Sequence, residues 1–278
     1  MTSGAATRAA PQRVERSTRR GFTAVMVVLT ALVVVLFTAT TGLTLGMWLA
    51  DPAYEETNPV VDLGFFALGT VLVGGGLVTQ LRAPERHLAG LQQALLGVLA
   101  LSIAGLLGDR IEPLWGGAVL LLAISLAVLL HPGRRRLIRP GAGLSPPIAV
   151  LAVVGTAPAL AYAAAMLDLA RSAGPSCFAG QCARGDRYAE AAALAMALVA
   201  ISLLASARTP GWRLTAWGVG IAASILGCAS VALPDVPGSI GAPWGVVAAV
   251  WGGLLVASAE WVTRSAAPVI PPGSGSRE

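Results

Sequence analysis

The sequence predicts an all-α, polytopic integral membrane protein, a bundle of eight transmembrane helices. Hydrophobic residues make up 55% of the 278-residue chain and charged residues only 12%, whereas about a quarter of a soluble domain is charged. The apolar residues fall in stretches long enough to cross a hydrocarbon core, which takes about 20 residues of helix. The arginines fall mainly in alternate loops, as they do in proteins that cross a membrane repeatedly.

The eight predicted spans follow one another with short loops between them. The spans cover residues 22–49, 60–81, 88–108, 114–130, 147–169, 189–207, 214–233 and 244–262. The tails 1–21 and 264–278 are polar and are predicted to be disordered. A single transmembrane domain over residues 22–263 remains, with no stretch long enough for a soluble domain.

The distribution of basic residues predicts the orientation. All 19 basic residues are arginines, and 15 of them lie on one side once alternate loops are assigned to opposite faces. The positive-inside rule then places both termini in the cytoplasm of a bacterial plasma membrane. The basic pI of about 9.8 is thereby explained by topology, and a nucleic-acid partner is not expected. The 15 arginines are Arg8, Arg13, Arg16, Arg19, Arg20, Arg82, Arg86, Arg134, Arg135, Arg136, Arg139, Arg208, Arg213, Arg264 and Arg277.

One cytoplasmic loop concentrates four of these charges, at Arg134, Arg135, Arg136 and Arg139. Such a group attracts the anionic lipid headgroups of the inner leaflet. Orientation of the chain alone accounts for the same residues. The lipid bilayer, with anionic lipids at its cytoplasmic face, is the first expected partner, and a membrane-protein partner is the second.

The two halves of the chain resemble each other weakly. Residues 82–84 (Arg-Ala-Pro) precede the third span, and residues 208–210 (Arg-Thr-Pro) precede the seventh span 126 positions later. A duplication would give a 4+4 parallel repeat, related by an axis along the membrane normal. Chance similarity between short basic loops is the alternative, because every helix end in a membrane needs such residues.

Three carboxylates near the external ends of spans are candidates for binding a substrate or an ion. Asp62 and Glu190 fall in the first turns of the second and sixth spans, and Asp168 lies near the end of the fifth. Carboxylates within a membrane are expensive and often functional. Stabilisation by the helix dipole is the simpler explanation for Asp62 and Glu190, and pairing with Arg171 is the simpler explanation for Asp168.

Cysteine and histidine positions predict no cofactor and no metal. Cys177 and Cys182 lie in an external loop, where an oxidising environment favours a disulfide between them. A redox-active pair is the alternative, although the C-x4-C spacing differs from C-x-x-C. His87 and His131 both lie at cytoplasmic helix ends beside arginines, and no zinc-binding spacing is present.

Three functions remain open on the sequence. The first is a non-enzymatic subunit or scaffold of a cell-envelope membrane complex, since no catalytic motif is visible. The second is a small permease for a hydrophobic or weakly polar solute, with its path between the halves. The third is an intramembrane enzyme that uses Asp62, Asp168 and Glu190 for acid–base chemistry, which would require the three carboxyl groups to meet at a common point.

Overall fold

The structure is a computed structural model that describes residues 6–51, 58–131, 133–137, 141, 143–174 and 183–265. For residues 6–20, 135, 183 and 184 it describes the backbone alone. The described part of the chain contains eight helices that are long and apolar enough to cross a membrane. The predicted fold class is confirmed: the protein is a multi-pass, all-helical membrane protein.

The helices are numbered α1 to α8 in chain order. Their bounds are α1 Ala6–Ala50, α2 Pro59–Arg82, α3 Leu88–Leu107, α4 Ile111–Leu130, α5 Pro146–Ser172, α6 Ala183–Ser206, α7 Trp212–Ala232 and α8 Gly241–Ser265. Short 3-10 turns occur at Pro84–Arg86 and Arg134–Arg136. Most helix ends lie within three residues of the sequence prediction, but α1 begins at Ala6, inside the tail that was predicted to be disordered. Helix α5 continues to Ser172, and α6 begins at Ala183, where the sequence had predicted a loop as far as residue 188.

The earlier start of α6 has a physical cause in its charged residues. Asp186 lies in the first turn of the helix, where the dipole and the unpaired backbone N–H groups favour a negative charge. Arg187 and Glu190 follow at helical spacing and form an ion pair with each other. A polar segment that hydropathy assigns to a loop is therefore helical.

Four helices form the centre of the bundle and four surround it. More than half of the apolar window of α2, α3, α6 and α7 is buried, against a third or less in α1, α4, α5 and α8. Within the halves, α1 packs on α2, α3 on α4, α5 on α6 and α7 on α8; between the halves, α3 meets α6 and α2 meets α7. Two parallel four-helix units related by an axis along the membrane normal would pack in this way, while the duplication itself stays a prediction.

Glycines allow the closest helix contacts. A Cβ built on Gly252 of α8 would overlap the carbonyl oxygen of Gly220 in α7 and would lie 2.6 Å from Ser224 Oγ. The Ser224 hydroxyl donates to the Gly220 carbonyl at 2.8 Å. Small residues at a membrane helix contact let two backbones approach each other, which gives dispersion energy that lipid would not supply.

The middle of α2 departs from regular α-helix. Its residues Ala67–Gly74 form a π-helical segment, and the ring of Phe37 lies directly on Gly69 within it. The buried Gln93 of α3 donates its Nε2 hydrogen to the Leu72 carbonyl at 2.7 Å. A π segment in a membrane helix changes which carbonyls are paired, and a neighbouring helix here supplies a side-chain donor in addition to the Gly75 N–H.

We expect Gly252→Ala to destabilise the contact between α7 and α8 by about 1–3 kcal/mol, because its methyl group would meet backbone atoms that must move apart. The matched control is Gly253→Ala on the same helix, where an added Cβ meets nothing within 4 Å. That change should leave stability equal or slightly higher, since Ala favours helix over Gly. Thermal unfolding of both variants in the same detergent measures the difference, and equal melting temperatures would contradict this packing.

Candidate functional site

Five charged side chains from both halves of the chain meet at the end of the bundle where α2 and α6 begin. Asp62 belongs to α2, Arg110 immediately precedes α4, and Asp186, Arg187 and Glu190 belong to α6. Asp62, Arg110 and Asp186 are between 1% and 3% exposed, and the other two side chains are nearly buried. We call this set the charged cluster. Buried charge at a membrane helix end is costly and often functional.

Arg187 is the link within the charged cluster. Its Nε lies 3.5 Å from Asp62 Oδ1, and its Nη1 lies 3.3 Å from Glu190 Oε2. Its Cζ stands 5.2 Å from the centroid of the Phe65 ring, a distance at which the aromatic face attracts a cation. One guanidinium therefore holds a carboxylate from each half of the chain.

Local capping fixes the position of Asp62. Asn58 caps α2, and its Oδ1 accepts a hydrogen bond from the Val61 N–H at 3.3 Å. The amide nitrogen of the same side chain donates to the carbonyl of Pro237 in the turn between α7 and α8. The Thr41 hydroxyl of α1 donates to the Asp62 carbonyl at 3.4 Å. Three elements thus hold the first turn of α2 in place.

Arg110 is held by backbone carbonyls at the end of α5. Its Nη2 donates to the carbonyls of Ala170 and of Gly174, the latter at 2.9 Å. The guanidinium lies against Gly185 so closely that a Cβ at that position would overlap it. Its Nε and Nη1 are buried and find no hydrogen-bond partner among the described residues.

Asp186 has the least compensated carboxylate of the charged cluster. Neither of its oxygens accepts a hydrogen bond from any residue that the structure describes, and Asp62 Oδ2 is in the same condition. Buried polar atoms in native proteins nearly always have a partner, so such groups indicate a bound water, an ion or a proton. Asp62 and Asp186 therefore keep acceptor atoms that the described residues do not use.

The structure brings two of the three predicted carboxylates together and separates the third. Asp62 and Glu190 meet through Arg187. Asp168 is exposed and pairs with Arg171 of its own helix at 2.8 Å, which is the simpler interpretation that the sequence offered. The three carboxyl groups therefore do not meet at a common point, as acid–base chemistry by all three would require.

Sequence reasoning missed Arg110, Asp186 and Arg187 as site residues. Asp186 and Arg187 were assigned to a loop, and Arg110 was counted only as a charge on the external side. One sequence signal for these residues was present: Arg187 and Glu190 are three positions apart, a spacing that places them on one face of a helix, where they form an ion pair. Nothing in the sequence relates Arg110 to Gly185, because that contact depends on tertiary packing.

Other predicted sites are only partly described. Cys177, Cys182 and Arg139 lie outside the described residues, as does the side chain of Arg135. Arg134 and Arg136 are exposed, and Arg136 Nη1 lies 3.9 Å from Glu85 Oε2. Binding of lipid headgroups by this loop stays a prediction. Among the described residues, no group of three or more His, Cys, Asp or Glu side chains could hold a metal ion.

A second feature is an apolar groove of about 830 Å³ between α5, α6, α7 and α8. Its lining includes the aromatic side chains Tyr162, Trp244 and Trp251. The Tyr162 hydroxyl donates to the Gly238 carbonyl at 2.8 Å, and the Trp251 indole N–H donates to the Leu151 carbonyl at 2.9 Å. Because these polar groups are already bonded to the backbone, the groove presents an almost wholly apolar surface.

His131 is a buried titratable group at the other end of the bundle. Its Nδ1 accepts a hydrogen bond from the Gly133 N–H at 2.9 Å, and its ring stands edge-on to Phe22 with the centroids 5.1 Å apart. Burial lowers the pKa of His131 below its usual 6.5, and the Pro84 carbonyl and the Glu85 carboxylate offset only part of this effect. The fold thus favours neutral imidazole.

Comparison with protein-family models, curated proteins and solved structures gives no match for this chain. The class of protein that the fold defines is a multi-pass membrane protein with eight apolar helices. Its specific function is inferred below from the charged cluster and the groove.

Lower pH should destabilise the protein through His131. Since the pKa in the folded state lies below that in the unfolded chain, the unfolded chain binds the proton more tightly. The stability contribution is complete above pH 6.5 and is lost as the pH falls through the folded-state value. His131→Asn keeps an acceptor for the Gly133 N–H and should flatten this part of the profile. Thermal unfolding across the pH range measures both proteins, and identical profiles would contradict the assignment.

Loss of Arg187 should destabilise the bundle far more than loss of Arg171. Arg187→Gln leaves Asp62 and Glu190 without their shared cation, and breaking a buried pair costs about 3–5 kcal/mol. Arg171→Gln removes an exposed pair with Asp168, which is worth about 1 kcal/mol or less, and an exposed hydrogen bond to the Leu107 carbonyl, which adds about 1 kcal/mol. Thermal unfolding and detergent resistance of the two variants give the comparison. Equal losses would show that the Arg187 pairs are not the buried network described above.

Proposed function

We propose that this protein binds a compact hydrophobic or weakly polar molecule in the apolar groove and acts as a small permease for it. The groove is the observation that carries this proposal. Its volume of about 830 Å³ lies within the range of about 300–1,000 Å³ that ligand pockets usually have. Its lining offers contact to apolar atoms and no unpaired polar group from Tyr162, Ser202 or Trp251.

The depth of the groove supports a solute site. On α5 the groove is lined by residues 154–162, which straddle the middle of a helix that runs from Pro146 to Ser172. On α7 it is lined by Ala223 and Leu226, again near the middle of the helix. Secondary transporters commonly hold their substrates near the bilayer midplane. On α8 the lining runs from Ile240, just before the helix begins, to Trp251 near its middle, so the groove extends from that end of the bundle to midplane depth.

The charged cluster adds a second argument for a permease. It lies where α2 of the first half meets α6 of the second half. A protein that only spans the membrane has no need for buried charge at that contact, and such charge usually marks an ion or substrate path. The cluster and the groove lie at different depths along α6, so a solute and an ion would have separate sites.

A non-enzymatic subunit or scaffold of a cell-envelope complex is the second candidate. The groove opens on a flank of the bundle whose walls include the peripheral helices α5 and α8. Trp244 lies at this groove and is 58% exposed, as aromatic anchors at interfaces often are before a partner binds. In that case a transmembrane helix of the partner would occupy the groove. The concave shape favours the compact solute over the helix.

The proposal places the protein in a bacterial plasma membrane with both termini in the cytoplasm. The support is the concentration of 15 of 19 arginines in alternate loops. In this orientation the buried charged cluster lies at the external end of the bundle, and the loop with Arg134 and Arg136 lies beside the anionic lipids of the inner leaflet. The groove is reached from the bilayer itself.

Filling the groove should remove its occupant. Ala248 lines the groove, so Ala248→Phe would place a ring inside it. Ala257→Phe on the same helix is the control, because Ala257 is exposed and does not line the groove. Gentle purification from native membranes, followed by mass spectrometry of lipids, small molecules and proteins, compares the variants with the wild-type protein.

A hydrophobic molecule retained by the wild-type and Ala257→Phe proteins, and at least tenfold depleted by Ala248→Phe, supports the permease. Uptake of that molecule into proteoliposomes then tests transport directly. A stoichiometric protein partner that Ala248→Phe releases would replace the permease by the subunit hypothesis. Equal recovery of every companion from all three proteins would rule out the groove as the binding site.

A further inference from the structure

We propose that the charged cluster is a proton-binding site and that Asp186 carries the proton. This inference does not depend on what occupies the groove. It rests on the positions of Asp62, Arg110, Asp186, Arg187 and Glu190, on their burial, and on the hydrogen bonds that they make and lack. The proposed ligand is a single proton, and water at the adjacent membrane surface supplies it.

The charge balance of the cluster calls for one proton. Among the described side chains of the charged cluster, three carboxylates and two guanidiniums leave one excess negative charge in a region shielded from water. An uncompensated charge in a medium of low dielectric is so costly that the group usually becomes neutral instead. One bound proton brings the charged cluster to zero net charge without any change of fold.

Hydrogen bonding assigns the proton to Asp186. Asp62 and Glu190 each interact with Arg187, which favours their ionised forms. The other cation, Arg110, uses Nη2 to hold the carbonyls of Ala170 and Gly174. Within the described part of the chain, Asp186 accepts no hydrogen bond at either oxygen. Its ionised form is therefore the least stabilised of the three.

Charges on the neighbouring elements act on Asp186 in opposite directions. The Glu112 carboxylate at the start of α4 repels the Asp186 carboxylate, while the guanidiniums of Arg110 and Arg187 attract it. Asp168 and Arg171 of α5 neutralise each other in an exposed pair. The other acidic side chains that the structure describes at this end are Asp51 after α1, Asp109 after α3 and Asp235 after α7, and all three are exposed.

The binding step is a simple proton transfer. Hydronium at the membrane surface gives its proton to an Asp186 carboxylate oxygen, a new O–H bond forms, and water is released. The net charge of the charged cluster changes from −1 to zero, and no oxidant or reductant takes part. Release follows the reverse path. A site of this kind lets the protein respond to pH or couple a proton to movement of α6.

Infrared difference spectroscopy of the full-length protein in lipid bilayers tests the proposal. A protonated carboxylic acid has a C=O stretch well separated from the carboxylate bands. The wild-type protein should show one buried acid band that disappears on moving from mildly acidic to alkaline pH. Asp186→Asn should lose this band, because the remaining cluster of two carboxylates and two guanidiniums is already neutral. The matched control, Asp168→Asn, removes an exposed carboxylate and should keep the band.

Glu190→Gln separates a proton site from a structural role. This variant also leaves two carboxylates and two guanidiniums, so Asp186 should take up its proton, and show its acid band, only at a lower pH than in the wild-type protein, since Arg187 is then less neutralised. A merely structural carboxylate would show no titrating band to move. Absence of a buried acid band from the wild-type protein at every pH, or persistence of the band in Asp186→Asn, would overturn the proposal. Neither result depends on the groove variants, so the two proposals can fail separately.

Discussion

The fold depends on the fact that hydrocarbon offers no hydrogen bonds, so every polar group at bilayer depth must find a partner within the protein. Helices satisfy most backbone groups by themselves, and polar side chains bond to the backbone of neighbouring helices. Gln93 reaches the Leu72 carbonyl in the π segment of α2, and Trp251 reaches the Leu151 carbonyl across the groove. The unpartnered atoms of the charged cluster differ from those elsewhere in the described bundle because the two carboxylate oxygens of Asp186 are both without a hydrogen bond, on a side chain that is only 3% exposed.

The charged cluster and the apolar groove occupy different parts of the bundle, and their different linings define what each site can bind. The charged cluster lies at helix ends, where dipoles, capping groups and nearby water lower the cost of ionised side chains. The groove extends from the start of α8 to the middle of α5, α6 and α7, and its lining of Ala, Val, Leu and aromatic side chains resembles lipid. A polar solute would lose its hydration in the groove, and a hydrophobic one would gain nothing in the cluster. Two ligands of opposite character are therefore expected.

Sequence predicted the spans well and the sites poorly, for different physical reasons. Span length and hydropathy are local properties that the bilayer imposes on each helix, and helices such as α3 and α4 end within about three residues of their predicted limits. The start of α6 was missed because hydropathy treats Asp186 and Arg187 as loop residues and ignores their pairing. Asp62 and Glu190 could be identified as candidates by depth alone, whereas the groove has no sequence signature, because apolar lining resembles any lipid-facing surface.

Helix α6 connects the two proposed sites. It carries Asp186, Arg187 and Glu190 in its first turns and lines the groove from Ala195 to Ser202. Glu190 and Ala195 are separated by about 7–8 Å along the axis, or one and a half turns. If a proton on Asp186 changes the position of α6 against α2, it changes the shape of the groove as well. Thermodynamic linkage then applies in both directions. If the bound proton changes the affinity for the groove ligand by some factor, the bound ligand changes the affinity for the proton by the same factor. The charged cluster would in that case set when the groove accepts its ligand.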